Sequence, residues 1–195
     1  MLNTLSLRIV NYLFVKKIIK SDCKDLYHYG FFLLLSNVTF SIIILTLGAL
    51  FKCVLANLLF YVSFCAIRIF AGGYHADTET KCEILTTLSF LCVTIIISRS
   101  ELVFVQTIVL LLTLISIPTI VILSPLDTPA KPLDFGEKKK YKMISCIILL
   151  VIVCTICSSL IFDIKLLLVP CCLSLILESI LLLSGKFKGN IVNER

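Results

Sequence analysis

The chain has 195 residues, 59% of them hydrophobic and 15% charged, with a mean hydropathy of +1.08 and a formal net charge of +6. A soluble globular domain is typically about 45–50% apolar and about 25% charged. Composition therefore excludes an ordinary water-soluble protein, and the bilayer must be the solvent.

The N-terminal stretch Met1–Lys20 mixes apolar residues with Arg8, Lys16, Lys17 and Lys20. A cleaved signal would show a charged tip, one clean apolar block and a small-residue cleavage site. An amphipathic helix lying in the interface, lysines toward anionic headgroups, fits this stretch; a lead-in helix packed on the bundle is the alternative. This segment is expected to cover residues 1–29. Apolar runs follow at Gly30–Leu50, Val54–Phe70, Ile84–Ser98 (full length if begun at Cys82), Leu102–Leu123, Met143–Phe162 and Leu166–Leu183. A spanning helix needs about 20 residues, so the expected fold is all-α: a polytopic transmembrane bundle of about six helices forming one domain over 1–195. The tight turns at Lys52 and Arg99-Ser100-Glu101 leave four full spans plus re-entrant pieces as the other count.

Charge placement favours six. With the N-terminus inside, the outer loops carry Lys52, Arg99 and Lys165, and the other fifteen of the eighteen basic residues fall on the inner side. Basic residues are held on the cytoplasmic side. The expected location is a bacterial cell membrane, multi-pass, with the N-terminus cytoplasmic.

Between the second and third runs lies a polar island, Arg68-Ile69-Phe70-Ala71-Gly72-Gly73-Tyr74-His75-Ala76-Asp77-Thr78-Glu79-Thr80-Lys81-Cys82. Most of the ten cysteines sit in apolar runs, where a free thiol behaves as a small hydrophobe. Cys154 and Cys157 have the spacing of a redox or metal pair but no second pair or histidine nearby, and no metal or cofactor is expected. Cys171-Cys172 reads as lipid-facing or packing. Cys82 alone is surrounded by polar chemistry. Thr80-Lys81-Cys82-Glu83 has the pattern of a capping box that starts the third span at Thr80. Unpaired amides and the helix dipole in a first turn favour the thiolate, which is the nucleophilic form. Those amides also suit the oxyanion of a tetrahedral intermediate. In one unbroken helix His75 and Cys82 would lie about 10 Å apart along the axis at 1.5 Å per residue, whereas a base must come within about 3 Å. A catalytic dyad therefore needs a bend, and Gly72-Gly73 is suited to end the second helix in a left-handed turn. Asp77 or Glu79 would orient the imidazole or stand as solvated loop charges. Arg68 would snorkel or clamp a substrate carboxylate. A chance pairing of His and Cys in a loop is the plain alternative to catalysis.

This stretch resembles the AgrB family of accessory gene regulator proteins, membrane-embedded cysteine endopeptidases of Gram-positive bacteria. The arginine, the glycines before the histidine and the histidine-to-cysteine interval all match. A second segment agrees: Ser124-Pro125-Leu126-Asp127-Thr128-Pro129-Ala130-Lys131-Pro132-Leu133, then Glu137-Lys138-Lys139-Lys140, looks like the family's Pro-rich basic loop. The resemblance implies that His75 is the general base and Cys82 the nucleophile, within a catalytic cytoplasmic loop over 68–83. The substrate implied is an AgrD-like propeptide, cut ahead of its C-terminal part and closed to a thiolactone or lactone signal peptide. Lys131, Lys138, Lys139, Lys140 and Lys142, in a basic cytoplasmic loop over 124–142, would dock an acidic tail, or else only fix topology and touch anionic lipid. The likeness leaves room for a homodimer, and no nucleic-acid partner is expected. A small peptide transporter or exporter without protease activity is the other functional class. Glu178, inside the last run, is either functional or close enough to the helix end to reach the interface.

Overall fold

The structure, a computed structural model, describes residues 2–20, 23–74, 79–126 and 134–193. Among these residues every regular element is an α-helix: α1 Leu2–Val15, α2 Lys24–Leu50, α3 Val54–Ala71, α4 Glu79–Ser98, α5 Val103–Leu123, α6 Phe135–Ile161 and α7 Lys165–Asn193. Helices α2 to α7 are each long and apolar enough to cross a membrane. The chain is thus a multi-pass membrane protein with six such helices. The expected spans are met nearly residue for residue in their apolar parts. The differences lie where helices continue beyond lipid.

Two compact units form, Met1–Ile43 and Ile44–Arg195. In the first, α1 has 14 residues, about 21 Å at 1.5 Å per residue, well short of the roughly 30 Å hydrocarbon layer. It is not a span. Helix α2 is already formed at Lys24, so residues 24–29 of the expected interfacial segment belong to the first long helix. His28 Nε2 lies 2.8 Å from Asn3 Oδ1, joining the two helices of this unit.

The second unit is organised around α7. Helices α3, α5 and α6 pack against it most extensively, and α4 touches both α3 and α7. Every residue from Leu168 to Leu175 is buried, as expected of a helix apolar on all faces. Small polar side chains let neighbours approach closely, as in many membrane interfaces. Ser179 Oγ donates to Ser116 Oγ at 3.0 Å, and Ser63 Oγ lies 4.0 Å from Cys171 Sγ. Cys171 and Cys172 are therefore packing residues and do not face lipid. Asn57, wholly buried, donates to Ile44 O at 3.1 Å and Thr94 Oγ1 at 2.9 Å, pinning α3 to the end of α2 and to α4. Phe60 and Phe64 meet Phe90 edge-to-face at 5.8 and 6.1 Å. This aromatic cluster fixes α4 on α3 about two turns below Cys82.

Because successive spans reverse direction, the end of α3, the starts of α4 and α6, and the ends of α5 and α7 lie on one side. Helix α6 begins at Phe135, so Lys138, Lys139 and Lys140 ride on helical turns and not on the loop expected over 124–142. Asp134 N donates to Glu137 Oε2 at 3.3 Å across its first turn. Helix α7 runs on to Asn193, which puts Glu178 in mid-helix and away from any end.

Candidate functional site

Helix α3 stops because the chain after Ala71 enters backbone space that suits only glycine. Gly72 has φ +77 and ψ −148, and Gly73 has φ +136; a side chain at either position would be strained. The stop is secured by Arg68, one turn earlier. Its Nη1 donates to Gly72 O at 2.6 Å and its Nη2 to Tyr74 O at 2.8 Å. Charge-assisted bonds of this length are the strong ones. The guanidinium passes so close to Gly73 that a Cβ there would sit 1.6 Å from Nη1. Arg68 grips its own chain and thereby shapes the turn that leads into His75.

Behind Arg68 stands Glu178 on α7, with Oε1 3.8 Å from Nη1. Its side chain is 0% exposed against 22% for Arg68. Among the described residues neither carboxylate oxygen has a hydrogen-bond partner. Helix α7 holds the turn at two further points. Tyr74 N donates to Leu181 O at 2.9 Å. Gly185 offers a notch in which a Cβ would lie 3.0 Å from Tyr74 N, 3.1 Å from Gly73 C and 2.4 Å from Leu126 Cδ2. Leu126 in turn donates its N–H to Ala71 O at 2.9 Å, and its carbonyl oxygen lies 2.9 Å from where a Gly72 Cβ would be. The turns after α3 and after α5 are thus seated together on α7.

Cys82 is the fourth residue of α4 and half-buried. The cap differs from expectation: the helix already includes Glu79, so Thr80 is not its N-cap. A Thr-x-x-Glu pattern marks a helix start nearby without fixing its residue. His75 and Asp77 lie outside the described residues, as does Lys131. Glu79 opens α4. Helices α3 and α4 are separate elements, and Gly72, Gly73 and Tyr74 are not helical; the bend expected between His75 and Cys82 falls on 75–78, outside the described residues. Of the two histidines in the chain, His28 is bonded to Asn3, leaving His75 as the imidazole beside Cys82 in sequence.

On the basic side, Lys139 and Lys140 are exposed on α6. Lys142 is occupied: its Nζ donates to Ser124 O at 2.7 Å and to Val121 O, closing the carbonyl end of α5. It serves as a helix cap. Lys142→Met is expected to lower stability by about 1.5–3 kcal/mol, the usual worth of a hydrogen bond to a charged group; thermal unfolding in detergent would read this as a lower Tm. Tyr141 meets Phe70 at 5.9 Å, bringing the start of α6 against the end of α3. Cys154 and Cys157 are both exposed, with free thiols.

Gly185, Leu126 and the cap at Lys142 escaped the sequence reading. Only Gly185 carried a usable signal, since a glycine inside a long helical run often marks a close backbone approach.

A family model described as AgrB, Accessory gene regulator B, matches residues 6–183. Two curated relatives from Clostridium perfringens are similar over 127 residues, 62% of this chain. One is named "Putative AgrB-like protein 2", from strain 13 / Type A, and is 27% identical. The other, named "Putative AgrB-like protein", from strain SM101 / Type A, is 25% identical. The match spans 58% of the length of each relative. No solved structure matches the chain. With the family model covering all but the two ends of a six-span bundle, the chain belongs to the AgrB family.

Proposed function

We infer that this protein is a membrane-embedded cysteine endopeptidase that processes an AgrD-like autoinducer propeptide. The observation carrying this reading is the arginine-clamped Gly72-Gly73 turn, which delivers the chain to His75 just ahead of a helix with Cys82 in its first turn. Family membership supports it. The excess of basic residues on the side where these turns lie supports a cytoplasmic site.

In this reading His75 takes the Cys82 thiol proton as the sulfur attacks the scissile carbonyl. Amides at the start of α4 receive the oxyanion. The C–N bond breaks, His75 returns the proton to the leaving amine, and the N-terminal part of the peptide stays on Cys82 as a thioester. A thiol (or hydroxyl) within that peptide then attacks the same carbonyl. Its proton passes through His75 to the departing Cys82 sulfur, and a ring is released. Exchanging one thioester for another changes bond energy little, so no ATP is needed. The competitor is water. A well-oriented internal nucleophile reaches an effective molarity of roughly 10⁵ M or more, and a site at the membrane boundary limits water further.

The deciding experiment places the purified protein in lipid vesicles with its propeptide, using a peptide whose internal nucleophile is changed to alanine. Ring closure is then blocked, and intact mass should show Cys82 carrying the N-terminal peptide as a hydroxylamine-labile adduct. Peptide taken up into the vesicles without cleavage would instead establish a transporter. A second test concerns docking: changing Lys138, Lys139 and Lys140 together to glutamine should weaken cleavage most at low salt, where charge steering is strongest. Orientation, read by cysteine accessibility, should stay intact. Cleavage unchanged at low salt would remove these lysines from substrate binding.

A further inference from the structure

The geometry points to Glu178 as a positioning residue, one that acts through Arg68 to hold the Gly72–Tyr74 turn in place for the proposed dyad. It rests on the peptidase reading for its catalytic meaning, though not for its structural content. Glu178 is completely buried in mid-α7, yet neither of its oxygens is hydrogen-bonded among the described residues, and its charge faces Arg68 Nη1 at 3.8 Å. A buried ion pair lacking hydrogen bonds is a poor way to stabilise a bundle, because desolvation offsets most of the Coulomb gain. Its effect falls on where the guanidinium stays.

Arg68 has two places to go. It is 22% exposed near the end of α3, and a long basic side chain there readily extends to the headgroups. In the observed position it is turned inward between the carboxylate and the two carbonyls it grips, those of Gly72 and Tyr74. Carbonyl dipoles alone compete poorly with water and lipid phosphate for a full charge. The buried carboxylate tips the balance, and the price of a neutral residue at 178 is a guanidinium free to leave. The turn would then lose both guanidinium bonds and rely on backbone contacts such as Gly72 N to Arg68 O, Tyr74 N to Leu181 O and its seat at Gly185. His75 is the next residue along.

The test compares wild type, Glu178→Gln, Glu178→Asp, Arg68→Gln and the double variant Arg68→Gln/Glu178→Gln in lipid vesicles with propeptide. Three readouts are taken: kcat and KM, amide hydrogen exchange at residues 72–74, and Tm. For Glu178→Gln the expected result is a kcat lower by about ten- to a hundredfold, the scale of a small misplacement of reacting groups. KM and Tm should be nearly unchanged, and exchange should quicken at 72–74 but not in the helices. Glu178→Asp should recover part of the activity. The double variant should be no worse than Arg68→Gln, since two residues acting as one unit are non-additive. Unchanged kcat and exchange in Glu178→Gln would overturn the assignment, as would a general loss of Tm and protection throughout the bundle. If wild type fails to cleave, the peptidase reading falls by itself; exchange at 72–74 still decides whether Glu178 holds the turn.

Discussion

Cys82→Ala is expected to abolish propeptide cleavage, with a loss on the order of 10⁴-fold or more, the scale seen when a catalytic nucleophile is removed. His75→Ala should lose a comparable amount, and the double variant should be hardly worse than either, because a nucleophile and its base act as one unit. Cleavage of propeptide in vesicles, followed by mass spectrometry, measures all three. The fold should survive. Cys82 is half-buried in the first turn of α4, and α4 is held by Phe90 and Thr94 farther along, so Tm should barely move. Retained cleavage in Cys82→Ala would end the peptidase reading. Equal losses in Tm and activity would mean that the thiol is structural.

The second large effect is expected at a residue with no side chain. In Gly73→Ala the new Cβ would meet Arg68 Nη1 at 1.6 Å, at a φ of +136. Something must move. The backbone strain alone is of order 1–3 kcal/mol, and relief comes most easily by expelling the guanidinium. That forfeits its bonds to Gly72 O and Tyr74 O, which a guanidinium at the end of α3 replaces with bonds to water and headgroups, so the backbone strain is what lowers Tm. Cleavage should fall by at least about a hundredfold, as for a displacement of about 1 Å at the reacting groups, and here Tm should fall too. The contrast with Glu178→Gln, where activity drops and Tm holds, separates a broken turn from an unanchored one. A Gly73→Ala protein with normal kcat would show that the observed turn is not the one used in catalysis.

Much of the fold was legible because hydropathy reports where lipid begins and ends. Val54–Phe70 and Leu102–Leu123 were bounded within a residue of α3 and α5. Hydropathy does not report where a helix ends, since a helix can continue into water. Hence the Lys138–Lys140 run read as loop although it is helical, and Glu178 read as near an end although α7 goes on to Asn193. The Gly-Gly stop after Ala71 was legible from glycine's backbone freedom. What Arg68 does was not, because its partners are carbonyls of its own chain and a carboxylate on another helix, and no spacing rule foretells that convergence. Lys142 shows the same limit from the other side: by composition it joins a basic patch, whereas its Nζ is engaged by the end of α5.

The bond from Leu126 N to Ala71 O has a mechanical meaning. It links the residue just before the Pro-rich segment 127–133 to the residue just before the glycine turn. A displacement of Leu126 would therefore be felt directly at Ala71, through one backbone hydrogen bond. The ends of α3 and α5 are thereby tied to each other by main chain alone, with no side chain needed to hold the tie.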